Sequence, residues 1–193
     1  MQIEKWNSVA LKVDFNLEIN TSEFKRIVPR DTVILDYGCG YGRTCETLNS
    51  LEYSNIVGVD SSPEMIKRGN SEYPHLSLSQ SNQVELKYPD GHFGAIVLCA
   101  LLTCCPAPQA KINILAEIYR LLKDGGILHM VEFCSEEEKT FESNFGVSMN
   151  HQPPNELKAL VNKFTELKSE IVQTQTMTGK SATAVSFFGQ KTT

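Results

Sequence analysis

Two aspartates and three glycines carry the first chemical signal of the chain. The stretch VILDYGCGYGRT, residues 33–44, runs apolar into Asp36 and then sets glycines at 38, 40 and 42. A dinucleotide turn asks for Gly-x-Gly-x-x-Gly, whose third glycine lets helix and strand approach closely; that position is Arg43 here. An acid at the strand end, just ahead of the first glycine, repels a pyrophosphate and suits a ligand that carries positive charge. Asp60, 24 residues after Asp36, ends a second apolar run. In that place a carboxylate can hold a ribose diol through its two oxygens.

Other residues offer reactive groups. His151, in MNHQPPNE, has an unperturbed pKa suited to a general base, and Glu132 ends the strand segment ILHMVEF. A loop histidine is also an ordinary surface residue, and a strand-end carboxylate is also satisfied by backbone amides. His129, inside that segment, reads as a core histidine. Of the six cysteines, Cys39, Cys99, Cys104, Cys105 and Cys134 fall at strand ends. Soft thiolates there could take a metalloid, while buried small hydrophobes give the same list. No spacing supports a zinc site, and we expect reduced thiols and no metal.

The elements that position these groups alternate. Residues 32–36, 55–60, 76–80, 94–100 and 127–133 read as strands, separated by helical stretches at 43–51, from Ser61 or Ser62 to Asn70, and over APQAKINILAEIYRLLKDGG. In the last of these Ile112, Leu115, Ile118, Tyr119 and Leu122 recur at helical spacing up to Gly125 and Gly126. The alternation predicts an α/β fold with a parallel sheet covered by helices. TELKSEIVQTQTM and SATAVSFFGQK then read as an antiparallel pair turning near Gly179 and Lys180. FCSEEEKTFESNFGVSMN, residues 133–150, reads as a lid or a solvated acidic helix, and residues 1–30 as one or two helices, with Trp6 closing one side of the site.

Composition narrows the class. The 193 residues are 41% hydrophobic, enough for a sizeable core in one domain, and 18 basic against 23 acidic residues give a net charge of −5 with no basic block. Nucleic acid is a disfavoured partner. The N-terminal stretch has no apolar signal region, and no run approaches the ~18 apolar residues of a membrane span, so the expectation is a soluble, cytoplasmic protein.

Taken together these segments resemble the class I S-adenosylmethionine-dependent methyltransferases, of the small-molecule type 11/25 families, over roughly residues 31–133. VILDYGCGYGRT resembles their first motif, IVGVDSSPEMIKRG the ribose-binding motif, and LKDGGIL the turn before the fifth strand. SNQVELKYPDGHFGAIVL resembles the stretch that carries the adenine contact, with Asn82 and Gly94 where the family has acids.

The resemblance implies a Rossmann-like, seven-stranded, mostly parallel sheet with helices on both faces and a terminal antiparallel strand pair. It implies a single domain over 1–193: an N-terminal helical segment (1–30), a cofactor-binding core (31–133), and an insert with the strand pair (134–193). It implies S-adenosylmethionine as cofactor and S-adenosylhomocysteine as product. Gly38, Cys39 and Gly40 would pass the methionine part beside Asp36. Asp60 would hold the ribose, Ser61 and Met65 would border the adenine, Asn82 and Gln83 would meet its edge, and Cys99, Ala100 and Leu101 would line the methionine side. The expected reaction is methyl transfer to a small molecule, with His151 or Glu132 as candidate catalytic groups. Alternatives are a catalytically silent cofactor-binding module or partner subunit, a protein or peptide methyltransferase, and, against Arg43, a nicotinamide oxidoreductase.

Overall fold

The computed structural model describes residues 2–192. Its centre is a seven-stranded sheet. In chain order the first four strands are β1 (Ile34–Tyr37), β2 (Ile56–Asp60), β3 (Ser77–Gln80) and β4 (Phe93–Cys99). They are followed by β5 (Leu122–Cys134), β8 (Phe164–Gln175) and β9 (Ser181–Lys191). Their order across the sheet is β3-β2-β1-β4-β5-β9-β8. The first five pair in parallel, and β9 runs antiparallel to both β5 and β8. The mostly parallel sheet with a terminal antiparallel pair is the arrangement expected from the sequence.

Alternation along the strands gives the sheet two apolar faces. On one, Leu35, Ile96, Leu98, Leu128 and Met130 pack under α5 (Pro108–Leu121) and α6 (Pro154–Leu160). On the other, Ile34, Ala95, Val97, Ile127 and Val131 meet α2 (Thr21–Ile27) and α3 (Arg43–Ser50), with Ile66 of α4 (Pro63–Glu72) beside them. Ser62 caps α4 by accepting the Met65 amide at 3.2 Å, with Pro63 in the first turn. Residues 1–30 do supply helices: α2, and α1 (Ile3–Val9), which lies against α4.

Three local readings need correction. Helix α5 ends at Leu121, ahead of the glycines, because Leu122 is already extended and pairs with Phe93. Residues 123–126 then loop out of the β4–β5 ladder, which resumes at Ile127 opposite Ala95. Ile112 is 51% exposed; the buried stripe of α5 is Lys111, Ile114, Leu115, Glu117, Ile118 and Leu121. The segment after β5 is no helix. It is a β-hairpin, β6 (Lys139–Glu142) with β7 (Ser148–His151), turning through Gly146 at φ +74°. No helix among the described residues is long and apolar enough to cross a membrane.

Candidate active site

The carboxyl ends of β1, β2, β4 and β5 open into a cleft of about 1020 Å³, its mouth included. It lies where the chain reverses direction across the sheet, from β1 outward to β3 and then back to β4, which is where open α/β sheets bind ligands.

At the β1 end the chain turns sharply. Gly38, Gly40 and Gly42 hold φ of +83°, +56° and +89°. A Cβ at Gly38 would stand 2.7 Å from the Leu101 side chain, and one at Gly40 2.6 Å from the Phe15 ring. Those glycines keep the cleft open. The amides of Gly38 and Cys39 both donate to the Val59 carbonyl, at 2.7 and 3.1 Å, so this wall acts by shape.

Asp60 is braced from two sides. Its Oδ2 accepts the Gly40 amide at 2.9 Å and its Oδ1 accepts the Ser62 amide at 2.8 Å. Each oxygen keeps a lone pair, and the carboxylate lines the cleft. Burial pushes its pKa up while the backbone amides of Ser62, Gly40 and Ser61 oppose the rise. Asp36 sits deeper, 1% exposed, and accepts from the Cys45 thiol at 3.3 Å. Burial raises its pKa to about 7. Arg43, near Asp36, donates to the Leu17 carbonyl, and its buried Nε has no partner among the described residues.

At the β4 and β5 ends the walls change chemistry. Cys99, Ala100 and Leu101 continue into a 3-10 turn, Leu102–Cys104, and Cys104 and Cys105 face the cleft with Phe133 of β5 and Met149 of β7. Ala100 holds φ +56°, a strained conformation for a residue with a Cβ, and donates to the Val131 carbonyl at 2.8 Å. Phe15, Asn16 and Leu17 form a strap across the opening. Phe15 stacks on Tyr41 with centroids 5.3 Å apart, and the Asn16 side-chain Nδ2 donates to the Gln175 and Thr176 carbonyls. Trp6 and Met177 also line the cleft.

Asp36, Gly38, Cys39, Gly40, Asp60, Ser61, Met65, Cys99, Ala100 and Leu101 therefore meet at one cleft. Asn82 and Gln83 do not join them: both are exposed, beyond the end of β3 and outside the lining. His151 is no loop residue. Pairing of β7 with β6 buries it to 7% exposure between Phe133, centroids 5.6 Å apart, and Phe141, 4.9 Å edge-on. Burial holds its pKa down at about 4, so it stands behind the wall as a neutral ring.

Glu132 is fully buried, and its two oxygens accept the Leu102 and Thr103 amides at 2.8 and 2.9 Å. It orders the 3-10 turn. His129 is a core histidine, stacked on Phe188 at 3.9 Å and accepting the Asn20 amide. All six cysteines are free thiols; Cys45 supports Asp36 and Cys134 bonds with Thr183, both outside the lining. Sequence reasoning missed Gln2, Phe15, Asn16, Leu17, Met149 and Met177. Only Met149 had a usable signal, the alternation of VSMNH after Gly146.

Residues 34–126 match the family model described as a methyltransferase domain. Over those residues the chain carries a methyltransferase domain. A ubiquinone/menaquinone biosynthesis C-methyltransferase of Psychromonas ingrahamii is 31% identical over 153 residues, 67% of this chain and 58% of that protein. An eEF1A lysine and N-terminal methyltransferase of Mus musculus is 29% identical over 120 residues, 57% of this chain and 17% of that one. This methyltransferase chain thus spans less than two thirds of those relatives' length. Among solved structures, an S-adenosylmethionine-dependent methyltransferase of Methanosarcina mazei superposes with a TM-score of 0.82 at 23% identity, covering 91% of this chain and 99% of that one. At that identity the likeness concerns the fold.

Proposed function

We propose that this protein transfers the methyl group of S-adenosylmethionine to a small-molecule acceptor. The observation that carries this reading is Asp60: a cleft-lining carboxylate held by two backbone amides, with one lone pair left on each oxygen, beside a glycine wall that a Cβ would close. Those free lone pairs suit the vicinal hydroxyls of a ribose. Gly38, Cys39 and Gly40 leave room for the methionine part, with the Asp36 carboxyl beneath a positive centre. Ser61 and Met65 border the adenosine side.

When bound, the cofactor supplies an electrophilic methyl group on a sulfonium. The chain's task is to align an acceptor behind that methyl and keep water out. The strap over residues 15–17 and the apolar walls at the β4 and β5 ends support both roles. They enclose the acceptor side on the scale of a small molecule, which favours that class over a folded protein.

The test is the thermal midpoint of the purified protein with S-adenosylmethionine, S-adenosylhomocysteine and NAD in parallel. A ligand at about a hundred times its Kd adds roughly 2.7 kcal/mol, a rise of several degrees in a chain this size. A rise with the two adenosyl ligands alone is expected. No rise with either, or a rise with NAD, overturns the reading.

A further inference from the structure

The acceptor side of the cleft also bears on which atom attacks the methyl group. Its walls are Cys99, Cys104, Cys105, Phe133, Met149 and Met177. Of the polar groups among and behind them, the Thr103 hydroxyl is buried without a partner among the described residues and is no base at neutral pH, and the groups that could take a proton are engaged. Glu132 gives both oxygens to the Leu102 and Thr103 amides. The Gln2 amide donates to the Cys104 and Ser148 carbonyls at 3.1 and 2.7 Å, and its oxygen accepts the Ser148 amide at 2.7 Å. Lys111, buried in α5, donates to Asn150 and Gln152 at 2.5 Å each.

The thiols are no better placed to take a proton. Cys104 donates to the Ala100 carbonyl at 3.2 Å and lies 3.9 Å from the Met149 sulfur. Burial pushes Cys99 up to about 12, Cys105 up to about 11, and Cys104 well above the ordinary thiol range. All three are neutral at pH 7. His151 is screened by Phe133, while Asp36, Asp60 and Arg43 stand at the cofactor end with the partners described above.

We propose that the acceptor is an apolar thiol that attacks as its own thiolate, the protein supplying position and dry, polarizable walls. The proposal rests on the cofactor reading above. A hydroxyl or ammonium must first surrender a proton to a base, and a compact oxyanion loses strong hydration on entering an apolar cleft. A thiolate is larger, so its desolvation costs less, and it is a strong nucleophile once ionised. Sulfur-rich walls give it dispersion contacts.

The thiol releases its proton to bulk water before entry. Its electron pair then forms the new S–CH3 bond while the methyl carbon's bond to the sulfonium breaks, and the pair left behind cancels that sulfur's positive charge. A neutral thioether and neutral S-adenosylhomocysteine result. Anion and cation lose charge together on the way to the transition state, which a low-dielectric cleft favours.

The experiment offers thiophenol, benzyl mercaptan, phenol and aniline to the whole protein and measures S-adenosylhomocysteine above the protein-free rate. Thiophenol should react at least about tenfold faster than phenol or aniline, a difference of 1.36 kcal/mol or more. The pH midpoint of the rate should move upward when the less acidic benzyl mercaptan replaces thiophenol. A faster phenol or aniline overturns the proposal, as does one pH midpoint for both thiols, which assigns the proton to a protein group. No thiol turnover by protein whose thermal midpoint rises with both adenosyl ligands overturns it too. If neither ligand raises the midpoint, the cofactor reading fails and takes this one with it.

Discussion

The two ends of the cleft are built on opposite principles. Over β1 and β2 the site is backbone: glycines at positive φ, amides turned onto a carboxylate, and side chains kept out by shape. Over β4 and β5 it is side chain: sulfur and aromatic rings, with the Glu132 carboxylate behind them spent on backbone amides. The first end is written in two contiguous stretches. The second is gathered from residues as distant as Gln2, Cys104, Met149 and Met177.

Four experiments break or sharpen that contrast. The largest effect is expected at Asp60. Asp60→Ala removes the carboxylate proposed to hold the diol and frees two amides, and should lower affinity for S-adenosylhomocysteine by more than about a hundredfold in calorimetry. Circular dichroism should be unchanged; an unchanged affinity would defeat the ribose assignment. Next is Gly40→Ala, whose Cβ meets the Phe15 ring at 2.6 Å on a backbone at φ +56°. Strain of about 1 to 2 kcal/mol and a narrowed cleft should both appear, as a lower urea midpoint and about tenfold weaker cofactor binding.

The third concerns the acceptor wall. Burial holds His151 at about 4 in the folded protein, against an ordinary 6.5. Between those values the unfolded chain binds the proton and the folded chain does not, so stability falls as pH drops from 6.5 toward 4. At pH 4.5 this costs about 2 kcal/mol. His151→Phe should remove that loss in urea titrations at pH 7 and 4.5, and should leave turnover within about twofold, since a ring behind Phe133 moves no proton. A large drop in turnover would restore the histidine as a base.

The smallest effect tests Asp36. Its folded pKa of about 7 means that near pH 6.5 a fraction of the molecules hold the carboxyl protonated. A sulfonium nearby favours the ionised form, so binding of S-adenosylmethionine should release a fraction of a proton, while the neutral S-adenosylhomocysteine should not. Calorimetry in buffers of different ionisation enthalpy measures the release, and Asp36→Asn should abolish it.

The same division explains what was legible beforehand. Strands β1 to β4, the capped start of α4 and the glycine turn depend on local chemistry: β-branched runs, Ser62 with Pro63, and glycines where φ is positive. Each stands within a residue or two of its expected place. The hairpin over residues 139–151 was misread because the acidic run Glu136–Glu138 precedes two strands of only four residues each. Ile112 stands at the expected helical spacing yet is exposed, because Lys111 takes the buried position beside it, satisfied by its bonds to Asn150 and Gln152. Asn82 and Gln83 were placed at the cleft by resemblance alone, and they lie outside its lining.

The strap has a consequence for how the protein is made. Asn16 is fastened to the carbonyls of Gln175 and Thr176, and Met177 lines the same cleft as Trp6. On the ribosome, Asp60 and the glycine turn emerge long before residue 177. A nascent chain can therefore form the Asp60 corner while the roof is still missing its C-terminal anchor. The finished enclosure is a late event of synthesis, and an assay that follows ligand protection during translation would see affinity arrive in two steps.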